Sequence, residues 1–315
     1  MLVVLVAAQP AQAPLTLFKT IELPSVDGRI DHLAFDSDRA HLFVAALGND
    51  SVEVVDTERG THLKHLAGYQ EPQGIAFVPD TRAVVVANGQ GPGAQVIDAT
   101  DFHSVRTIAL GDDSDNVRYD AAAKRVYVGY GSGALAAIDP ADGRIAGRAA
   151  LKGHPESFQL EAAGPRIYVN VPSAEQIAVV DRQGMRVAAT WPVTTAKANY
   201  PMALDEAGKR LFIGCRRPAV VLVYDTTSGK QAASFPIVGD TDDMFFDAVR
   251  KRLYVIGGEG FVDVFSTEGG YNRLARIPTA AGARTGLFVK QQSRLYVAVP
   301  HRGAQRAAVQ VYEAR

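Results

Sequence analysis

The chain has 315 residues, 47% of them hydrophobic and 21% charged with no acidic or basic block, which is the composition of a folded protein able to bury a sizeable core. A formal net charge of −1, with no cluster of Lys and Arg interleaved with aromatics, provides no field for collecting phosphate backbones, so nucleic acid is not an expected partner. Cys215 is the only cysteine, which excludes an intramolecular disulfide and a C-x-x-C site. Within Leu211-Phe212-Ile213-Gly214-Cys215 it reads as a small buried hydrophobe.

In chain order, Met1 to Ala13 (MLVVLVAAQPAQA) is an apolar run ending in Ala11-Gln12-Ala13, which reads as the remnant of a secretory signal and implies a periplasmic or secreted protein. The run is too short to span a bilayer as a helix, so no transmembrane anchor is expected. Residues 14–315 then form one domain. Leu15 to Ile21 is a strand with no partner near it in sequence.

From there one unit recurs. Arg125-Val126-Tyr127-Val128, Arg166-Ile167-Tyr168-Val169, Arg210-Leu211-Phe212-Ile213, Arg252-Leu253-Tyr254-Val255 and Arg294-Leu295-Tyr296-Val297 are copies of one strand, and His41-Leu42-Phe43-Val44 and Ala83-Val84-Val85-Val86 are weaker copies. A second strand follows each, ending at Asp56, Asp98, Asp139, Asp181 and Asp225, in steps of 42, 41, 42 and 44 residues. Such a period signals propeller blades. Each unit reads as four short strands with β-branched and aromatic alternation, bounded by Gly, Asp, Asn and Pro. The last unit stops after its third strand, so Leu15 to Ile21 is expected to complete it and close the ring, removing exposed edges. The expectation is an all-β, seven-bladed β-propeller of four-stranded antiparallel blades.

These copies, together with Val-Val-Asp-Thr-x-x-Gly at Val54 to Gly60, resemble the YVTN-repeat β-propeller family of secreted and periplasmic bacterial proteins, related to WD40 and NHL propellers. The resemblance covers Thr16 to Arg315 and implies the fold. It does not by itself imply a chemistry, because propellers host binding, scaffolding and catalysis alike.

The two faces of such a ring carry different sequence. On one, Asp36, Asp120, Asp205 and Asp247 stand five residues before the basic position of the repeated strand, which suggests structural turns with an Asp to Arg contact in each hairpin. On the other, the connectors differ from blade to blade and deliver Asp31, Gln73, Asp115, Glu156, Tyr200, Asp242 and Arg284 to the starts of the innermost strands. A ligand site is expected at this polar channel mouth, built from Asp31, His32, Asp115, Asn116, His154, Glu156, Asn199, Asp242, Asp243, Arg284, His301 and Arg302, and taking a small molecule or a protein partner. A monomer is expected.

The alternative is a metal-assisted hydrolase or lyase in the same place. Asp31, Asp115, His154, Glu156 and Asp242 are the candidate ligands: oxygen donors suit Ca²⁺ or Mg²⁺, and imidazole would admit Mn²⁺ or Zn²⁺. His32 or His154 would then act as general base, Glu156 beside it, and Arg284 would hold a substrate carboxylate. The repeated tyrosines are expected to pack between blades, and Trp191 to belong with them rather than to a sugar platform.

Overall fold

A computed structural model describes residues 12–315 and contains seven four-stranded antiparallel sheets arranged as the blades of a ring. Blade 1 runs from Leu33–Asp36 to Thr61–Ala67, blade 2 from Pro72–Val78 to Ser104–Ala109, blade 3 from Ser114–Asp120 to Ile145–Ala150 and blade 4 from Phe158–Leu160 to Arg186–Pro192. Blade 5 spans Lys197–Asp205 to Gln231–Pro236 and blade 6 spans Thr241–Asp247 to Arg273–Pro278. Blade 7 takes three strands from Gly286–Val289 to Ala308–Ala314, and its outermost is the N-terminal strand Leu15–Glu22. Apart from two single-turn 3₁₀ segments, no helix occurs among the described residues. The segment read as a secretory signal lies outside them except for Gln12 and Ala13.

The core is divided into seven apolar clusters, each lying between two successive blades. The aromatic of the repeated strand enters these clusters: Phe43 between blades 1 and 2, Tyr127 between 3 and 4, Tyr168 between 4 and 5, Tyr254 between 6 and 7, Tyr296 between 7 and 1. Trp191 stacks on Tyr224 at 6.2 Å inside the 4–5 cluster, and Cys215 is buried there too. Outermost strands alternate exposed and half-buried residues, as Thr61–Ala67 does, because only one side meets a neighbour.

The closing strand serves two interfaces. Leu15 and Ile21 have the same parity and would share a face of an uninterrupted strand. A bulge between Leu17 and Lys19 reverses the alternation, so Leu15 packs into the 6–7 cluster and Ile21 into the 7–1 cluster.

The aspartates of the hairpin face bond backbone first: Asp247 Oδ1 accepts from the amides of Val249 and Arg250, and Asp56 Oδ1 from Glu58 and Arg59. The expected Asp to Arg contact holds as written in blade 5, Asp205 to Arg210 at 2.6 Å, with Glu161 to Arg166 its equivalent in blade 4. Elsewhere it does not: Asp120 pairs with Arg182 of the next blade and Asp247 with Arg250. The arginine has a second task. Arg166 donates to the Thr226 carbonyl of blade 5, Arg210 to the Thr267 carbonyl of blade 6, and Arg252 to the carbonyls of Pro14 and Arg315 in blade 7. It is a clamp between neighbouring blades.

Ile21→Ala should cost about 2–4 kcal/mol in urea unfolding, the usual penalty for emptying a buried aliphatic site. Phe18→Ala, at the bulge in a residue 53% exposed, should cost under about 1 kcal/mol. Equal costs at the two positions would contradict the closure described here.

Candidate functional site

The inner strands carry the site, and their geometry starts with local backbone. In blades 2, 3, 5 and 6 the first strand bulges near its start, at Pro72/Ile75, Ser114/Val117, Asn199/Met202 and Thr241/Asp243. Each bulge follows a non-glycine residue at positive φ: Glu71, Asp113, Ala198 and Asp240. Bulges re-aim side chains, and those of blades 3 and 6 carry Asp115 and Asp242 of the site. Blades 2 and 3 approach closely at this level. A Cβ on Gly74 would lie 1.9 Å from the Asp115 carbonyl oxygen, so only glycine permits the contact.

The connector residues close this end of the channel. His32 Nδ1 lies 3.2 Å from Asp243 Oδ2 and its Nε2 lies 3.8 Å from Asp31 Oδ1. Asp31 also pairs with Arg29, and Asp242 pairs with Arg216 at 2.6 Å and Arg284 at 3.1 Å. Arg216 covers the Tyr200 ring at 3.9 Å. Asp243 Oδ2 further accepts the amide of Gly286, which fastens blade 6 to blade 7. Asp31, His32, Asp115, Asn116 and Asp243 are all buried. The space left among them is only about 20 Å³, enough for a single water. What the sequence suggests as an open polar mouth is a plug.

Charge inside the plug follows from its neighbours. Burial opposes the imidazolium of His32, but the carboxylates of Asp243 and Asp31 outweigh it and push the group up to about 10. His154 is likewise carried against burial to about 9, by its bond to Asp115, by the Gly131 carbonyl at 2.7 Å and by Asp113. The upward direction favours the imidazolium form of both, a donor at both nitrogens, and weakens either as a general base at neutral pH. An imidazolium Nε2 needs an acceptor. Turning the Asn116 amide supplies its oxygen, which otherwise has no partner, at the cost of a long 3.5 Å contact to Asp115. Burial, then repulsion from Asp115 and Asp242, pushes Glu156 up to about 8. Its carboxyl has no hydrogen-bond partner among the described residues.

Other candidates lie elsewhere. Asn199 is fully buried and bonds Asn170 and the Gln176 carbonyl, which locks blade 5 to blade 4. Arg284 is held by Asp240 and Asp242, so it is not free to bind a substrate carboxylate. His301 pairs with Asp27 at the rim, and Arg302 lies against Gly282. Among the described residues no group of three or more His, Cys, Asp or Glu is arranged to hold a metal ion.

Below the plug the channel widens to a cavity of about 480 Å³ that the connector pattern does not announce. His32 and Asp243 form its floor, Phe35, Phe77, Tyr119, Phe245 and Phe288 its walls, and Ser37, Pro79 and Gln291 mark its mouth on the hairpin face. The sequence does carry a signal for it. The residue paired with the third position of the repeated strand, an aromatic in every blade except blade 2, where it is Val85, is Ala34, Ala76, Arg118, Gln159, Ala203, Phe245 or Leu287. That position varies around the ring, and all of these residues but Ala203 line the cavity.

No family model matches the chain, and no curated protein matches it in sequence. Solved structures do match. Hydrazine synthase from Kuenenia stuttgartiensis superposes with a TM-score of 0.77 at 17% identity, over 87% of this chain and 94% of that chain. A chain of the mitotic checkpoint complex superposes with a TM-score of 0.79 at 13% identity, over 99% and 98%. The fold is a seven-bladed β-propeller. Likeness at these identities shows that and nothing of the chemistry.

The raised groups of the plug bind protons more tightly in the folded chain than in the unfolded one, so their stabilisation is full at low pH and is lost as pH rises. For Glu156 the window runs from about 4.5 to about 8. Glu156→Gln should match the parent at pH 4.5 and exceed it by roughly 2–4 kcal/mol at pH 8.5. Thermal melts across that range check it; a gap that does not change with pH would refute the assignment.

Proposed function

We propose that the protein is an exported binding propeller, akin to the YVTN-repeat group, that holds a small molecule in its central channel. The observation that carries this reading is the cavity of about 480 Å³, blind at the plug, walled by aromatics and entered from the hairpin face. Its volume falls in the roughly 300–1,000 Å³ range of small-molecule pockets, and a mostly apolar wall with a few convergent polar groups is the usual make-up of such sites. The buried charge network gives the pocket a rigid polar floor. Export rests on the apolar segment Met1 to Ala13 and on the YVTN-like repeats. The metal-assisted reading draws no comparable support from the donor arrangement.

The experiment uses a neutral apolar fluorophore, N-phenyl-1-naphthylamine. It should bind saturably with one-to-one stoichiometry, and Ala76→Trp, which fills the cavity from its wall, should abolish the signal while the protein stays folded by circular dichroism. Binding to Ala76→Trp at the parent's affinity would refute the channel as the site.

A further inference from the structure

Resting on that reading, we propose that the channel selects an apolar monoanion, with its carboxylate seated on Arg118 and its hydrocarbon body directed toward the mouth. Arg118 is the only charged residue among the seven inner-strand positions paired with the third residue of the repeated strand, six of which line the cavity. Its guanidinium makes one hydrogen bond, to the Val117 carbonyl at 3.0 Å, and lies 5.7 Å from the centre of the Phe158 ring. It forms no ion pair with any described carboxylate. Arg118 is one of the residues that line the cavity.

Arg118 is half-buried on the cavity wall. Partial withdrawal from water disfavours an unpaired charge, and burial lowers its affinity for its own proton, only partly offset by Asp243 and Asp115. Those carboxylates are committed elsewhere: Asp243 to His32 and the Gly286 amide, Asp115 to His154. The arginine therefore lacks its counter-ion. A ligand carboxylate meets the guanidinium fork in the planar, bidentate geometry that suits it best.

Charge sets the valence of the ligand. One uncompensated cation above a floor already bearing carboxylates balances one negative charge, whereas a phosphate monoester would leave an excess anion in an apolar channel. Shape sets the rest. Phe35, Phe77, Phe245 and Phe288 supply much of the wall beyond the head group, with Tyr119 and Gln159 as polar side chains among them and Ser37 and Gln291 at the mouth, so the body of the ligand is largely hydrocarbon or aromatic.

The test displaces N-phenyl-1-naphthylamine with decanoate and with decanamide, two ligands of one skeleton that differ in charge. For the parent protein decanoate should compete roughly 10- to 100-fold better, the value of a charge-assisted hydrogen bond over a neutral one. Arg118→Met keeps the stem and removes the fork. It should bind the neutral fluorophore as the parent does, lose the preference for decanoate, and melt at or above the parent's temperature because a half-buried charge without an ion-pair partner is gone. Arg118→Lys should keep part of the preference. Equal competition by acid and amide in the parent, an acid preference that survives in Arg118→Met, or a lowered melting temperature in that variant would each overturn the proposal while leaving channel binding intact. A fluorophore that does not bind the parent at all, or binds Ala76→Trp equally, would instead remove the channel reading and this one with it.

Discussion

A four-stranded antiparallel sheet of this size has two apolar faces and cannot bury either by itself. Each blade here is covered only by its neighbours, through seven separate clusters of buried side chains, so no interface can be lost without exposing the faces on both sides of it. Closure of the ring follows from that requirement. Blade 7 lacks an outer strand of its own, and Leu15–Glu22, paired along Ala308–Ala314, supplies it while sending Leu15 and Ile21 into different clusters. The bulge in that strand is what lets one short segment seal two interfaces.

The ring leaves a channel, and the chain treats its two ends oppositely. At the connector end, carboxylates, histidines and arginines converge, Asp115 and Asp242 from bulged first strands, until most satisfy one another and leave room for about one water. At the hairpin end the first strands present aromatics and leave the channel open. The plug is an electrostatic structure in its own right: His32 is held charged between Asp243 and Asp31, and Asp242 between Arg216 and Arg284. Arg118 is the cation that this mutual satisfaction leaves out.

Strand, repeat and blade number are legible because strand formation and inter-blade packing depend on local alternation that recurs with a fixed period, and each copy of Arg-Leu-Tyr-Val reports the same environment. The gathering of Asp31, His32, Asp115, Glu156 and Asp242 is legible too, since every blade delivers its connector to one axis. Three features are not. Asn199 belongs by position to that set, yet it turns into the blade 4–5 contact with Asn170. The arginines of the repeated strand pair by sequence with their own hairpins but bond carbonyls of the next blade. Arg118, inside an ordinary inner strand, stands out only when the residues facing the axis are compared with one another.

The sequence by itself determined the architecture: seven units, four strands in each, one strand borrowed from the N-terminal end, and a polar end distinct from a repetitive one. Only the tertiary structure decided that the polar end is shut and the apolar end open. Whether converging side chains leave a void depends on distances between residues that are dozens of positions apart in sequence and on which charges neutralise which. Periodicity gives the direction of a side chain; the space remaining once seven blades have met at one axis, and the single guanidinium left facing it, are properties of the assembled ring.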